Sequence, residues 1–401
     1  MAVYKPDKQI LEKYARVLVN FALGSGKGIK SREVVYLQFD ETAKPLAVEI
    51  YKAILKSDAY PMVKMSSDDF APVFYKYAKE HQLKFFPKKY IKSLVDTIDH
   101  RIALISHKDP FYLKDVDPKK IVKANESMQL FKKWLFAKED EGKLTWTLAL
   151  YGTAKMAKEA GLSLQEYWEQ IIKACFLDFK DPVEKWRRVF SDLEDLRKKI
   201  NKMKIRYLYF KAKDTDLKIF LGEKRIFTGG SGRNIPSFEL FTSPDWRGTE
   251  GRVFFDLPLY RYGNIIKDIY LEFRKGRVVK AKASKNENLI KELVRQKNAD
   301  KVGEISLTDK RFSRIDKFMA NTLYDENFGG RYGNMHLALG SSYHDCYAGD
   351  AKKLKSSDWK RLGFNESPEH TDIIQTADRE VWAELANGSR VLFYKNGRFQ
   401  I

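Results

Sequence analysis

Cysteine is nearly missing from this chain, with two, Cys175 and Cys346, in 401 residues. Two thiols exclude a disulfide framework and a thiolate metal cage. Long apolar runs are missing too: none approaches the roughly 20 residues needed to span a bilayer. The N-terminal stretch MAVYKPDKQILEKY is charged throughout and lacks the apolar segment of a secretory signal. No Pro/Ser-rich spacer, internal repeat or low-complexity tract interrupts the sequence. A soluble cytoplasmic protein without a membrane partner is the expectation. Histidine is scarce as well, six in all, three of them late: His336, His344 and His370.

What is present is enough to build packed domains. The apolar fraction is 43% and the aromatic fraction 13%, which excludes wholesale disorder. The length exceeds what one small core organises. A formal charge of +20 points toward nucleic acid. Its distribution argues against that partner, because basic and acidic residues alternate, as in VEKWRRVFSDLEDLRKKINKMK (183–204), the pattern of a solvated helix face.

Apolar spacing predicts a helix over 7–22, capped by Asp7, and a strand over 33–39. Between them the turn GSGKGIKS (24–31) lacks phosphate-loop spacing and precedes a strand instead of following one, so it is not read as a phosphate site. Helices near 43–56 and 67–81 alternate with strands at 60–65, 101–106 and 144–150. That alternation implies βαβ units and a parallel sheet. Residues 152–204 read as helical, with Ser163 as an N-cap and Asp181-Pro182 opening the last helix. Beyond 205 strand composition takes over, with hairpin turns at Lys275-Gly276, Asn387-Gly388 and Asn396-Gly397. The fold class is therefore α/β: an N-terminal α/β domain with a parallel sheet (1–200), then a strand-rich α+β domain (201–401).

Candidate chemistry gathers in the second half. His370 and Asp372, in EHTDI, are two apart and share a face of an extended chain, about 6.6 Å from one another along the strand. They lie on a wet face or they grip a metal. His336, in GNMHLALG, reads on its own as a hydrogen-bonded core histidine, and His344 as surface. Glu239 and Glu304 sit in apolar strand contexts, and Asp325 and Glu326 lie close to His336. Spacing alone does not rank these carboxylates; it leaves a His/carboxylate metal site in the second half as an open reading.

Taken together, GRNIPSFELFTSPDWRGTEG, ADKVGEISLT, NTLYDEN, HLALGSSY and FNESPEHTD resemble, in order and rough spacing, the thermophilic aminopeptidase family, the dinuclear metallo-aminopeptidases of the aminopeptidase T, aminopeptidase S and PepS type. GIKSREVVYLQF and LALYGTAKMAKEAGLSLQEYW resemble that family's N-terminal domain, so the likeness spans nearly the whole chain. The segment FGGRYGNM before His336 is longer than the family's usual spacing. The resemblance implies that Glu239, Glu304, His336, His370 and Asp372 are metal ligands and that the strand-rich domain is catalytic. It implies Glu304 as bridge and general base, Tyr343 as oxyanion donor, and two divalent ions, Zn²⁺, Co²⁺ or Mn²⁺, as cofactors. Two imidazoles and three carboxylates without a thiolate suit such ions. The implied function is removal of N-terminal residues from short peptides by a metal-bridged hydroxide attacking the scissile carbonyl, in a homodimer. Two alternatives stand beside it: a basic nucleic-acid-binding protein, and a dinuclear hydrolase acting on a phosphoester.

Overall fold

The computed structural model describes residues 4–230, 232–261 and 264–401; the first three residues of the N-terminal stretch read above lie outside them. The chain divides into two compact units. One contains residues 4–188 and the short return 232–236; the other contains Val189–Gly230, Ser237–Arg261 and Ile265–Ile401.

The first unit is built on a parallel sheet. Its strand order among the described residues is Tyr60–Ser66, Val34–Asp40, His100–Ile105, Thr145–Leu150 and Asn234–Ile235. Parallel neighbours need long crossovers, and the helices between these strands supply them. The opening helix, Lys8–Val17, starts where the Asp7 side chain accepts from the Gln9 backbone N–H. It buries Leu11, Tyr14, Ala15 and Val17, and the Tyr14 hydroxyl donates to the Leu150 carbonyl at 3.1 Å. Ser163 caps Leu164–Ala174 through a reciprocal pair with Glu166, and Pro182 opens the helix Pro182–Lys202. Where the pattern predicts one helix over 67–81, the chain forms Phe70–Tyr77 and a separate turn, Glu80–Leu83.

The second unit is antiparallel. Eight strands among the described residues form one sheet, running from Arg277–Lys282 through Ile269–Arg274, Glu250–Phe255, Thr215–Phe220, Ile205–Ala212, Arg379–Leu385 and Arg390–Lys395 to Arg398–Phe399. All three hairpin turns read from the sequence connect neighbours in it. Lys275 and Gly276 both have positive φ, as a tight hairpin turn requires. A second sheet has the order His370–Gln375, Asn334–Gly340, Val302–Thr308 and Glu239–Thr242. Leu240, Ile305, Leu307, Leu337, Leu339 and Ile373 from this sheet share one apolar cluster with Leu208, Phe210, Val253, Phe255 and Leu271 from the larger one. The architecture is thus α/β with a parallel sheet, followed by an α+β region of antiparallel sheets.

Candidate metal centre

In a strand, alternate side chains point to opposite faces. Applied to the four-stranded sheet, this rule separates chemistry from packing. Leu240, Ile305, Leu307, Met335, Leu337, Leu339 and Ile373 all belong to the apolar cluster, so their face is committed to the core. The register then fixes what the other face carries. Ser306 pairs with His336, His336 with Ile374, Glu304 with Ala338, Ala338 with Asp372, and Gly340 with His370. Glu239 pairs with Thr308 at the end of the row. Glu239, Glu304, His336, His370 and Asp372 therefore lie on one face, brought from four strands.

Ala338 stands between Glu304 and Asp372, paired with both. Its methyl leaves room for the two carboxylates. Gly340, beside His370, has a φ of 112°, and a Cβ there would meet the Glu369 carbonyl oxygen at 2.1 Å. Only glycine allows that approach.

The contacts run through Glu304. Its Oε1 lies 3.0 Å from His336 Nε2, and its Oε2 lies 3.5 Å from His370 Nε2. Glu239 Oε2 is 3.2 Å from His336 Nε2 and accepts from the Ser306 hydroxyl at 2.9 Å. Asp372 Oδ1 is 3.4 Å from His370 Nε2 and 3.9 Å from His336 Nε2. His370 Nδ1 is 2.8 Å from the Ser341 carbonyl, which makes Nδ1 the protonated nitrogen and turns Nε2 toward the carboxylates. Among the described residues His336 Nδ1 is buried without a partner, and the ring's polar contacts there run through Nε2. His336 is thus the buried, hydrogen-bonded histidine that its own segment suggests, and its partners are carboxylates. Exposure grades across the site: side chains are 1% exposed for His336 and 5% for Glu304, but 18% for Asp372 and 22% for His370. The open side is therefore that of His370 and Asp372.

Burial and mutual charge set the protonation. Burial raises Glu239 to about 7, with the negative charges of Glu304 and Asp372 adding to it against the pull of His336. Burial alone would lower His336, but Glu239 and the Glu304 hydrogen bond outweigh it and raise it to about 10. Burial works against Asp372 as well, yet His370 brings it down to about 2. Among the described residues no lysine or arginine ion-pairs with Glu239, Glu304 or Asp372. A protein of net charge +20 thus keeps its own cations away from this cluster. Buried carboxylates without enough cations, with imidazole nitrogens among them, are the donor chemistry of a divalent metal site. Glu239, Glu304 and His336 each offer an atom within 4.8 Å of the others.

Glu326 is a further member that spacing did not rank. It is buried, and burial followed by the charges of Glu239 and Asp372 pushes its pKa well above the usual range. Its backbone carbonyl accepts from Thr308 Oγ1 at 3.1 Å and from Asn334 Nδ2 at 2.8 Å, both from strands of the site. The next residue, Asn327, accepts from the backbone N–H of Phe238 at 2.6 Å, beside Glu239. The long segment before His336 is therefore folded back rather than looped away. Asp325, the neighbouring candidate, accepts instead from the backbone N–H groups of Met319 and Asn321, both at 2.8 Å, and shapes that turn.

Tyr343 stands at the His370 side, with ring centroids 4.8 Å apart. Its hydroxyl has no hydrogen-bond partner among the described residues, and its backbone N–H donates to Ser243 Oγ at 2.8 Å. The His370 charge favours ionisation of the phenol, but burial together with Glu304, Asp372 and Glu326 outweighs it, so the group remains a proton donor. The loop behind it is pinned by half-buried Arg225, which donates to the carbonyls of Ser243 at 2.6 Å, Glu223 at 2.8 Å and Leu362 at 2.7 Å. His344, read as surface, is half-buried: its ring stacks on Trp359 at 3.8 Å and 3°.

The family model described as thermophilic metalloprotease (M29) matches residues 7–399. Aminopeptidase AmpS of Bacillus subtilis (strain 168) is 28% identical over 416 aligned residues, covering 98% of each chain. Aminopeptidase T of Thermus aquaticus is 27% identical over 316 residues, covering 74% of this chain and 76% of its own. The solved structure of wild-type AmpT from Thermus thermophilus superposes with a TM-score of 0.84 at 23% identity, over 98% of this chain and 100% of that one. That likeness is one of fold.

Proposed function

The chain belongs to the thermophilic metalloprotease family and is a metal-dependent aminopeptidase, and from that premise we propose which of its residues do the work. The observation that carries the proposal is the division of the Glu304 carboxylate, one oxygen toward His336 and the other toward His370. This arrangement supports two ion positions with Glu304 common to both. Glu239 and His336 would hold the deeper ion, and His370 and Asp372 the more open one. Glu326 adds a further carboxylate beside Glu239. The mixed imidazole and carboxylate donors favour Zn²⁺, Co²⁺ or Mn²⁺ over Mg²⁺ or Ca²⁺. When bound, such a pair polarises the scissile carbonyl and acidifies water.

The protein's own groups do the rest. Glu304, at the junction, accepts the proton of the attacking water. Tyr343, whose hydroxyl has no partner among the described residues, donates to the oxygen on which charge develops. Short peptides are the substrates that present an N-terminus near the open side. A homodimer is supported by the first unit's edge strand Tyr60–Ser66, where Tyr60, Val63 and Met65 are exposed, as are Phe70, Val73 and Tyr77 of the next helix. The two free, buried cysteines agree with the reducing cytoplasm.

The test is hydrolysis of aminoacyl-p-nitroanilides before and after chelation. Activity should vanish with the metal and return with Co²⁺ or Zn²⁺ at two equivalents per chain. Well-folded, reloaded protein with no turnover would refute the assignment. Restoration at one equivalent would refute the paired site.

A further inference from the structure

The parallel sheet of the first unit carries a second donor cluster that the peptidase reaction does not use. Its strand order, 60–66, 34–40, 100–105, 145–150, means that the chain steps one way from Val34–Asp40 and then returns to add His100–Ile105 on the other side. In open α/β sheets the crevice outside the carboxyl ends of the strands flanking such a reversal is where ligands bind. Here the flanking strands end at Asp40 and Ile105. Asp40 closes one, His107 follows the other by two residues, and Asp68 follows Tyr60–Ser66 by two. Three consecutive strand ends thus deliver two carboxylates and an imidazole to one place.

Asp40, Asp68 and His107 each present a ligand atom within 4.8 Å of the other two. Asp68 Oδ1 is 3.3 Å from His107 Nδ1, and its other oxygen accepts from the Lys108 backbone N–H at 2.8 Å. Asp40 Oδ1 accepts from the Ser66 hydroxyl at 2.6 Å. These outer hydrogen bonds hold both carboxylates in fixed orientations, as bonds to the far side of a metal ligand do. A His–Asp ion pair accounts for one carboxylate only. The nearby Lys108 ammonium is committed to Asp69 at 3.1 Å, and among the described residues no lysine or arginine ion-pairs with Asp40 or Asp68. One negative charge at the switch point is left without a counter-charge.

We propose that Asp40, Asp68 and His107 form a divalent-cation site at the carboxyl edge of the N-terminal parallel sheet, additional to the peptidase cluster. One imidazole and two carboxylates suit Mn²⁺ or Zn²⁺, and small side-chain rotations bring atoms so spaced to bond lengths of about 2.0–2.2 Å. Three protein ligands leave open positions, so the ion can also take an anionic ligand.

The experiment uses the full-length protein, stripped by chelation, reloaded with Mn²⁺ alone, desalted and assayed for bound metal per chain. His107→Gln and Asp40→Asn keep the local hydrogen-bonding shape and should each hold one equivalent less than the parent, with unchanged far-UV circular dichroism. The double variant H336A/H370A should keep one equivalent, and adding D40N to it should remove that one. Equal metal content in the parent, H107Q and D40N overturns the proposal. Because the peptidase assignment fails through H336A/H370A and this one through H107Q and D40N, the two are separable.

Discussion

Oε1 of Glu304 lies 3.0 Å from Nε2 of His336 inside a face where neither residue is more than 5% exposed. The contact uses one carboxylate oxygen and leaves the other to His370. Glu304→Gln removes the charge and replaces one of the two oxygens by an amide that cannot bind a cation. The expected result is a fall in kcat/KM of about 10³-fold or more, equivalent to about 4 kcal/mol of transition-state stabilisation, together with loss of at least one bound metal. Parent-like metal content in the variant would remove Glu304 from the shared position.

Tyr343→Phe deletes a hydroxyl without a partner among the described residues and leaves the backbone bond to Ser243 intact. No folding penalty follows from losing an unpaired group. Removing one oxyanion donor typically costs 10²–10³ in kcat, so a drop of about that size with little change in KM is expected. Steady-state kinetics on an aminoacyl-p-nitroanilide distinguishes this from a binding role, which would raise KM instead.

Opposite faces of one strand give opposing outcomes. Ala338→Val puts two methyl groups between Glu304 and Asp372, which it separates in the register. Overpacking costs about 1–3 kcal/mol, but the larger expected effect is loss of metal and at least tenfold lower turnover. Leu337→Ala, on the core face, should destabilise by about 2–5 kcal/mol while the folded enzyme turns over nearly normally. Thermal melting and metal content, measured on both variants, check the pair; the same ratio of the two effects in each would contradict the face assignment.

The alternation of strands and helices before residue 150 is enough to read a parallel sheet, because parallel neighbours need long helical crossovers. The helices Lys88–Thr97, Pro118–Ser127 and Gln129–Asp140 were missed, since their buried positions are few: Leu94, Val95 and Ile121 among them. The site was harder. His336 sits between Met335 and Leu337, so its neighbours describe a core strand; the sign that its own face differs is the small pair Ala338 and Gly340. Glu326 is named by its sequence position but not ranked, because the bonds from Thr308 and Asn334 that place it are to its backbone, and no side-chain pattern encodes them. Asp40, Asp68 and His107 meet only through strand order, which spacing along the chain does not carry.

Proton competition gives the last prediction. Without metal, His336 is raised to about 10 from 6.5 and Glu239 to about 7 from 4.5. Both bind a proton more tightly folded than unfolded, so both make the metal-free protein less stable as pH rises. The Glu239 contribution is lost between about 4.5 and about 7, and the His336 contribution between about 6.5 and about 10. A metal needs His336 neutral and Glu239 ionised, so it displaces these protons on binding. Apparent metal affinity should therefore climb about tenfold per pH unit while one proton is displaced, and more steeply below pH 7 where Glu239 is also protonated. Chelator competition at pH 6, 7, 8 and 9 measures the slope, and melting of the metal-free protein at pH 7 and 10 measures the stability loss. A flat affinity over that range would mean that His336 and Glu239 do not hold the metal.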